Sequence, residues 1–324
     1  MVIGKRRIDP FQLRIILAFA AIYIIWGSTY LAIRFAVETI PPFIMAGMRF
    51  VIAGGVMYAW ARLSGVKKPL FIEWRSAAII GVALLLFSNG GVTWSEQRVA
   101  SGIAALIVAT VPLWIVLMQW LLHNGSPPSR RMAAGLVIGF CGVLWLIGPD
   151  QLLGHRTIDL TGVAVLLVAC FSWSNGSLYA RKAKLPSSQI LATAMEMICG
   201  GVALLSAGLL TGEFHHFDPF AVSMKSSLSL AYLVVFGSII GFTAYVWLLR
   251  NAAPTRVATY AYVNPVIAIA LGAIFAGEQI NSQILVSAAT IIFAIVLIIT
   301  SQTGEKKVDN PQSKIRSPQL AEEV

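Results

Sequence analysis

Two ionisable residues stand inside long apolar runs. Arg49 interrupts the run at 40–63 and Glu196 the run at 189–210. A charge placed so deep in an apolar segment is costly and faces a cavity or a partner. Arg49 has the chemistry to hold a carboxylate. Glu196 has the chemistry to hold an amine or to carry a proton, which makes it the candidate for proton coupling. The same pair also suits a salt bridge that fixes the structure. On helices rising 1.5 Å per residue they stand roughly 9 Å apart along the helix direction, so a direct bond needs full side-chain reach.

Polar and helix-breaking residues gather around these charges. Pro112 and Pro265 fall inside apolar runs, where proline removes a backbone hydrogen bond and is expected to interrupt the helix. Asn264 precedes Pro265, where its amide would sit beside a freed carbonyl, and Tyr260 and Tyr262 lie just before it. Asn89 and Trp94 share another run. Trp26, Ser28 and Tyr30 lie in Trp26-Gly27-Ser28-Thr29-Tyr30, and Trp173 and Asn175 lie in Trp173-Ser174-Asn175-Gly176-Ser177. Each buried amide needs a hydrogen-bond partner. Cavity lining and contact between helices are both open to them.

The elements that must position these residues are membrane helices. The chain has 324 residues, is 57% hydrophobic and only 12% charged, with mean hydropathy +0.78. Continuous runs near twenty residues predict transmembrane helices, and in lipid the backbone bonds of each must close internally. Ten such runs are expected, at 14–35, 40–63, 74–95, 99–121, 131–148, 160–180, 189–210, 228–249, 255–276 and 283–301. The expected fold class is therefore all-α integral membrane. Residues 1–13 form a cytoplasmic N-terminus and 302–324 a disordered cytoplasmic tail rich in Lys, Glu, Gln, Ser and Pro.

Charge fixes the expected orientation. Of the 24 Lys and Arg, 19 fall on the side that holds both termini, and only Arg34, Arg98, Arg156 and Lys225 fall on the other. Lys and Arg accumulate in cytoplasmic loops, so both termini are expected in the cytoplasm. On this count Glu38, Glu96 and Glu278 lie at outer helix ends, within reach of water. Arg34 and Arg181 are ends of spans.

The chain carries an internal echo. Trp26 and Arg34 recur as Trp173 and Arg181, at an offset of 147, which also carries Met48 onto Met195 and Gly54 onto Gly201. An offset of 153 carries Trp94 onto Trp247, Ala105 onto Ala258 and Pro112 onto Pro265. Five helices per copy make the two copies, 14–148 and 160–301, enter the membrane from opposite faces. Inverted repeats of this kind characterise transporters whose site lies at the repeat interface near mid-bilayer.

Other classes fit poorly. The formal net charge of +10 is the loop bias of a membrane protein, and no nucleic-acid partner is expected. Cys141, Cys170 and Cys199 all lie in apolar runs, without disulfide or zinc spacing. The basic start resembles a signal peptide, but its apolar run is too long for one. His215-His216 is a polar loop pair, and neither a metal nor a cofactor motif is present. Gly135 and Gly139 form a GxxxG, which suits helix packing or a homodimer face.

Several motifs in order resemble the EamA family of the drug/metabolite transporter superfamily, and more closely its YedA-like branch of bacterial inner-membrane transporters. They are Trp26-Gly27-Ser28-Thr29-Tyr30, Pro41-Pro42-Phe43-Ile44-Met45-Ala46-Gly47-Met48-Arg49-Phe50, Ser101-Gly102-Ile103-Ala104-Ala105, Val108-Ala109-Thr110-Val111-Pro112, Gly237-Ser238-Ile239-Ile240, Tyr260-Ala261-Tyr262-Val263-Asn264-Pro265 and Gly277-Glu278. The resemblance implies ten helices around a central cavity and export of amino acids, metabolites or toxic compounds. Arg49 and Glu278 fall on family-typical positions. One departure stands out: where the family often has a Glu thirteen residues after the fourth-helix proline, this chain has Gly125.

The sequence thus leads to a secondary transporter, expected to export small amino-acid-like or amphipathic molecules across the lipid bilayer by alternating access. A channel or a membrane scaffold without active transport is the alternative. A membrane-embedded enzyme would need a convergent catalytic set, and the apolar runs hold no such acidic or histidine cluster.

Overall fold

The computed structural model describes residues 10–122, 127–147, 159–252, 257 and 259–308. The expectations for Gly125, the N-terminal basic residues and the tail beyond 308 lie outside them. Every regular element among the described residues is helical. The long helices are α1 (Pro10–Ala36), α2 (Pro42–Leu63), α3 (Phe71–Ser95), α4 (Ser101–Leu122), α5 (Arg130–Ile147), α6 (Leu160–Ala180), α7 (Gln189–Leu210), α8 (Met224–Tyr245, continuing to Asn251), α9 (Tyr260–Ala276) and α10 (Ser282–Val308). Nine are long and apolar enough to cross a membrane; α9, at 17 residues, is a shorter apolar helix.

Local sequence sets the ends. Pro42 sits at the first turn of α2, where its missing N–H costs nothing. The side chains of Asp159, Ser188 and Ser223 cap α6, α7 and α8, accepting from the amides of Gly162, Leu191 and Ser226. The depressed pKa of Asp159 follows from the Gly162 amide first and then from Arg98. α9 stops because Gly277 turns left-handed, at φ 64°. Large apolar side chains such as Leu17, Ile24, Val137, Leu144, Ile274 and Phe275 remain exposed on the outside of the bundle. That is the expected surface of a protein whose solvent is lipid.

The helices pair in a matched pattern. α2 packs along α7, and α5 packs along α10. α1 lies between α8 and α9, and α6 lies between α3 and α4. α3 and α8 each contain a π-helical stretch, Val82–Gly90 and Leu233–Ile240, and each returns to α-helix at a glycine, Gly91 or Gly241. Helices in the two halves of the chain thus share both neighbours and irregularity.

One sequence expectation changes here. α4 is broken at Ala109–Thr110, just before Pro112, as expected. α9, by contrast, runs unbroken across Pro265. That proline stands five residues past the start of α9, where little helix precedes it to be disrupted. The GxxxG glycines face inward: a Cβ on Gly135 would meet Ile298 at 2.7 Å, and one on Gly139 would meet Leu113 at 2.0 Å and Ala294 at 3.2 Å. They seat α10 and α4 within the chain, the packing role of the two that the motif allowed.

The α2–α7 contact is backbone on backbone. A Cβ at Gly54 would lie 2.9 Å from both the Ala194 carbonyl oxygen and the Ile198 nitrogen, whereas one at neighbouring Gly55 meets nothing within 4 Å. Gly54→Ala is therefore expected to destabilise the protein by about 1–3 kcal/mol, the usual cost of overpacking. Gly55→Ala should leave stability unchanged or slightly improved through helix propensity. Thermal unfolding of the two purified variants in detergent checks the contrast.

Candidate functional site

Arg49 is 5% exposed on α2. Its Nε donates to Ser238 Oγ at 3.0 Å, and its Cζ stands 4.7 Å from the Phe50 ring centre. Both Ser238 and Gly237 belong to the π-helical stretch of α8. A Cβ on Gly237 would approach Arg49 Nη2 to 3.1 Å, so glycine is what lets α8 come this close. The direct Arg49–Glu196 salt bridge that the sequence left possible is not formed. Among the described residues no ion pair joins them, and the carboxyl whose field reaches Arg49 is that of Glu96. Glu196 is half-buried on α7, where its backbone carbonyl lies against Gly81 of α3.

Next to Arg49 stands an aromatic box. Trp26 of α1 lies 5.5 Å from Phe242, 5.1 Å from Tyr245 and 5.2 Å from Tyr260, ring centre to ring centre. Its Nε1 donates to the Gly237 carbonyl at 3.2 Å, so the box and the Arg49 pocket share one residue of α8. Trp26 and Tyr260, both candidates by sequence, are in contact here. The structure also adds Phe242 and Tyr245. Gly241 allows this, because a Cβ there would collide with Trp26 Nε1 at 2.4 Å.

The small residues of α1 admit helices. Gly27 faces Ile267 and the Asn264 carbonyl of α9. Ser28 Oγ donates to the Ile25 carbonyl and shares a 2.6 Å hydrogen bond with the Tyr232 hydroxyl. In the second copy, Ser174 Oγ contacts the Val111 carbonyl at 3.4 Å and donates to Cys170 at 2.8 Å, while Ser172 donates to Ala83. Gly27 and Ser174 are thus equivalent, each against the carbonyl that precedes a proline.

The remaining candidates divide. Asn89 Nδ2 donates to Leu84 and Asn175 Nδ2 to Phe171, each within its own helix, so helix satisfaction explains both. The Trp94 ring carries Arg98, 4.5 Å from its centre. Tyr30 and Tyr262 pack against the apolar core around α4, α6 and α10. Asn264 and Pro265 are buried in α9; Trp173 and Pro112 are half-buried. None of the candidates lines the groove of about 480 Å³ formed by Met48, Ile52, Phe217, Leu230 and Val234.

The loop end reached by α1, α3, α7 and α9 holds residues that the sequence placed in water. Glu38 is indeed exposed and pairs with Lys225 at 2.6 Å. Glu278 and Glu96 are not. The Glu278 side chain is 9% exposed and ion-paired with Arg34 at 3.6 Å. Its carboxylate accepts from Ser101 N at 2.7 Å, Ser101 Oγ at 2.8 Å and Gly102 N at 3.1 Å, which caps the start of α4. Glu213 likewise accepts from Phe43 N at 3.2 Å and Ile44 N at 3.0 Å at the start of α2. Helix N-termini favour such carboxylates through free amides and the helix dipole. Burial raises the Glu213 carboxyl above its ordinary value even though those two amides pull it down. Both caps cross between the copies, and Arg34 is a partner as well as the end of a span. The acids follow helix ends in sequence, and no local signal distinguishes a cap on a distant helix from a solvated end.

Comparison with known proteins adds identity to this geometry. The model of the EamA-like transporter family matches the chain twice, over residues 13–148 and 160–300. An Escherichia coli (strain K12) protein described as "Uncharacterized inner membrane transporter YedA" is 40% identical over 282 residues, 87% of this chain and 89% of that one. A Salmonella typhimurium "Probable amino-acid metabolite efflux pump" is 24% identical over 281 residues, covering 85% of this chain and 91% of its own. A solved crystal structure with 18% identity matches at TM-score 0.60, over 91% of this chain and 98% of that one, a likeness of fold alone.

The Glu278 cap predicts a measurable stability effect. Glu278→Ala leaves three donors and Arg34 without their acceptor, and is expected to cost about 2–4 kcal/mol. Glu278→Gln retains one acceptor and should cost less. Thermal unfolding in detergent, with Glu38→Ala as an exposed control expected to change little, checks the order.

Proposed function

The chain belongs to the EamA-like transporter family, and from that premise we propose a secondary transporter that exports small amino-acid-like or amphipathic metabolites by alternating access. The observation that carries this reading is Arg49: a buried guanidinium with a hydroxyl partner, Ser238, where α2 meets α8. A substrate carboxylate would complete its hydrogen bonding, since a guanidinium offers five donors in a fork that matches that group. The Trp26–Phe242–Tyr245–Tyr260 box stands beside it and would take the apolar or cationic part of the same molecule. Glu196, across the α3–α7 contact, is the candidate for an amine or a coupled proton.

Two features support inverted repeats within ten transmembrane helices. The family model matches each half, and the helices of the halves pair in the same pattern. Rocking one half against the other would then carry the site between the two faces. We place the protein in the bacterial inner membrane with both termini cytoplasmic. The inner-membrane relative and the 19-to-4 bias of Lys and Arg support this placement.

Two experiments test the reading. In proteoliposomes, counterflow of a labelled metabolite mixture should saturate. Arg49→Ala should lower it on the order of tenfold to a hundredfold, the worth of one charge-assisted contact. Normal counterflow in that variant removes Arg49 from the site, and conductance without saturation makes the protein a channel. For orientation, a green fluorescent fusion at the C-terminus should be bright and an alkaline phosphatase fusion there inactive. The reverse pattern overturns the cytoplasmic placement.

A further inference from the structure

Among the described residues Glu96 is the acidic group whose buried oxygens lack a hydrogen-bond partner by geometry. It follows α3 directly and is 1% exposed, and neither carboxyl oxygen has a hydrogen-bond partner. Its neighbour Glu278 has the opposite character, with two amides, one hydroxyl and Arg34 around it. Two carboxyl groups therefore stand at one end of the bundle, and every side-chain donor there bonds Glu278 and not the Glu96 carboxyl.

The charged groups facing Glu96 come from three other elements. From α1, Arg34 donates through Nη1 to the backbone carbonyl of Glu96 at 3.3 Å, and the Tyr30 hydroxyl feels its charge. From α2 comes Arg49, and from the turn after α9 comes Glu278. On the α6 side, Asp159 is taken up by Arg98 at 3.3 Å and by the Gly162 amide. No side chain donates to the Glu96 carboxyl; the Arg34 and Arg49 charges, and more weakly the Arg34 backbone amide, act on it and pull its pKa down. A carboxylate buried out of water and beside a second carboxylate costs more than the neutral acid does, even with the Arg34 and Arg49 charges favouring the ionised form. Burial first, and the Glu278 charge second, hold this carboxyl well above the usual carboxylate range.

We propose that Glu96 is a proton-binding site, occupied while this end of the bundle is closed by the Glu278 cap and emptied to water when the cap opens. The step moves one proton from a Glu96 carboxyl oxygen to a water molecule and leaves a carboxylate. That carboxylate competes with Glu278 for Arg34, which favours the open end. Closure reverses the transfer. Protonation is thus tied to the movement of one half against the other, and the proposal rests on the alternating-access reading above.

The test reads the proton directly. Infrared difference spectra of the purified protein in detergent should show a protonated carboxyl band in the wild type near neutral pH. Glu96→Gln should lack it. Glu278→Ala, which opens the cap, should lose the band at lower pH than the wild type. Because the folded form holds the proton more tightly than the unfolded chain, wild-type stability should fall as pH rises through and above the ordinary carboxylate range. In Glu96→Gln that slope should be shallower. Four results overturn the proposal: an unchanged band in Glu96→Gln, an unchanged pH slope in that variant, a band in Glu278→Ala that titrates as in the wild type, or unfolding of Glu96→Gln, whose amide mimics the neutral acid. A failed counterflow assay with the band and slope as expected would instead defeat the transport reading and leave the proton site intact.

Discussion

One carboxylate ties the two halves of this chain together at one end. Glu278 leaves α9 on the left-handed turn at Gly277 and reaches the first turn of α4 in the other half. It also meets Arg34 at the end of α1. Three helix ends converge on it, and a bundle in lipid has few other means of fixing them. Lipid supplies no hydrophobic force between helices, so packing and buried polar contacts carry the assembly. The α2–α7 glycine contact does the same work along the middle, where backbones touch.

The helices themselves were legible. Apolar runs of the right length are a sufficient signal, and the observed ends differ from the expected ones by a few residues at most points. The candidate site was legible only in part. Trp26, Arg49 and Tyr260 were recognised by residue type, because a charge or a large aromatic group deep in an apolar helix requires an explanation. Their partners were not. Ser238, Phe242 and Tyr245 look ordinary in sequence, and only the approach of α8 over Gly237 and Gly241 gives them a role. Glu96 shows the same limit. A Glu-Gln-Arg sequence after a helix looks solvated, and its burial arises from helices distant in the chain.

The two halves match in framework and differ in chemistry. Gly27 and Ser174 meet equivalent carbonyls, and α3 and α8 carry the same irregularity. Yet the aromatic box has its Trp from the first half and its other three rings from the second. Both interhalf carboxylate caps, Glu278 and Glu213, come from the second half and end on helices of the first. At these caps the first half offers helix N-termini and, at Arg34, a guanidinium, and the second offers the acids; the exposed Glu38–Lys225 pair runs the other way. A matched framework thus carries an asymmetric set of contacts.

The π-helical stretches carry a mechanical consequence. A π-turn takes up more residues than an α-turn. Each stretch is therefore slack wound into the chain, beside the residues that line the proposed site. Taking up one residue of that slack would turn everything beyond it by about 100° and advance it by about 1.5 Å. In α8 the beyond is Gly241, Phe242 and Tyr245, and within the stretch are Gly237 and Ser238. A single residue of winding would suffice to exchange which of these side chains the neighbouring α1 and α2 meet, with no large displacement of either helix.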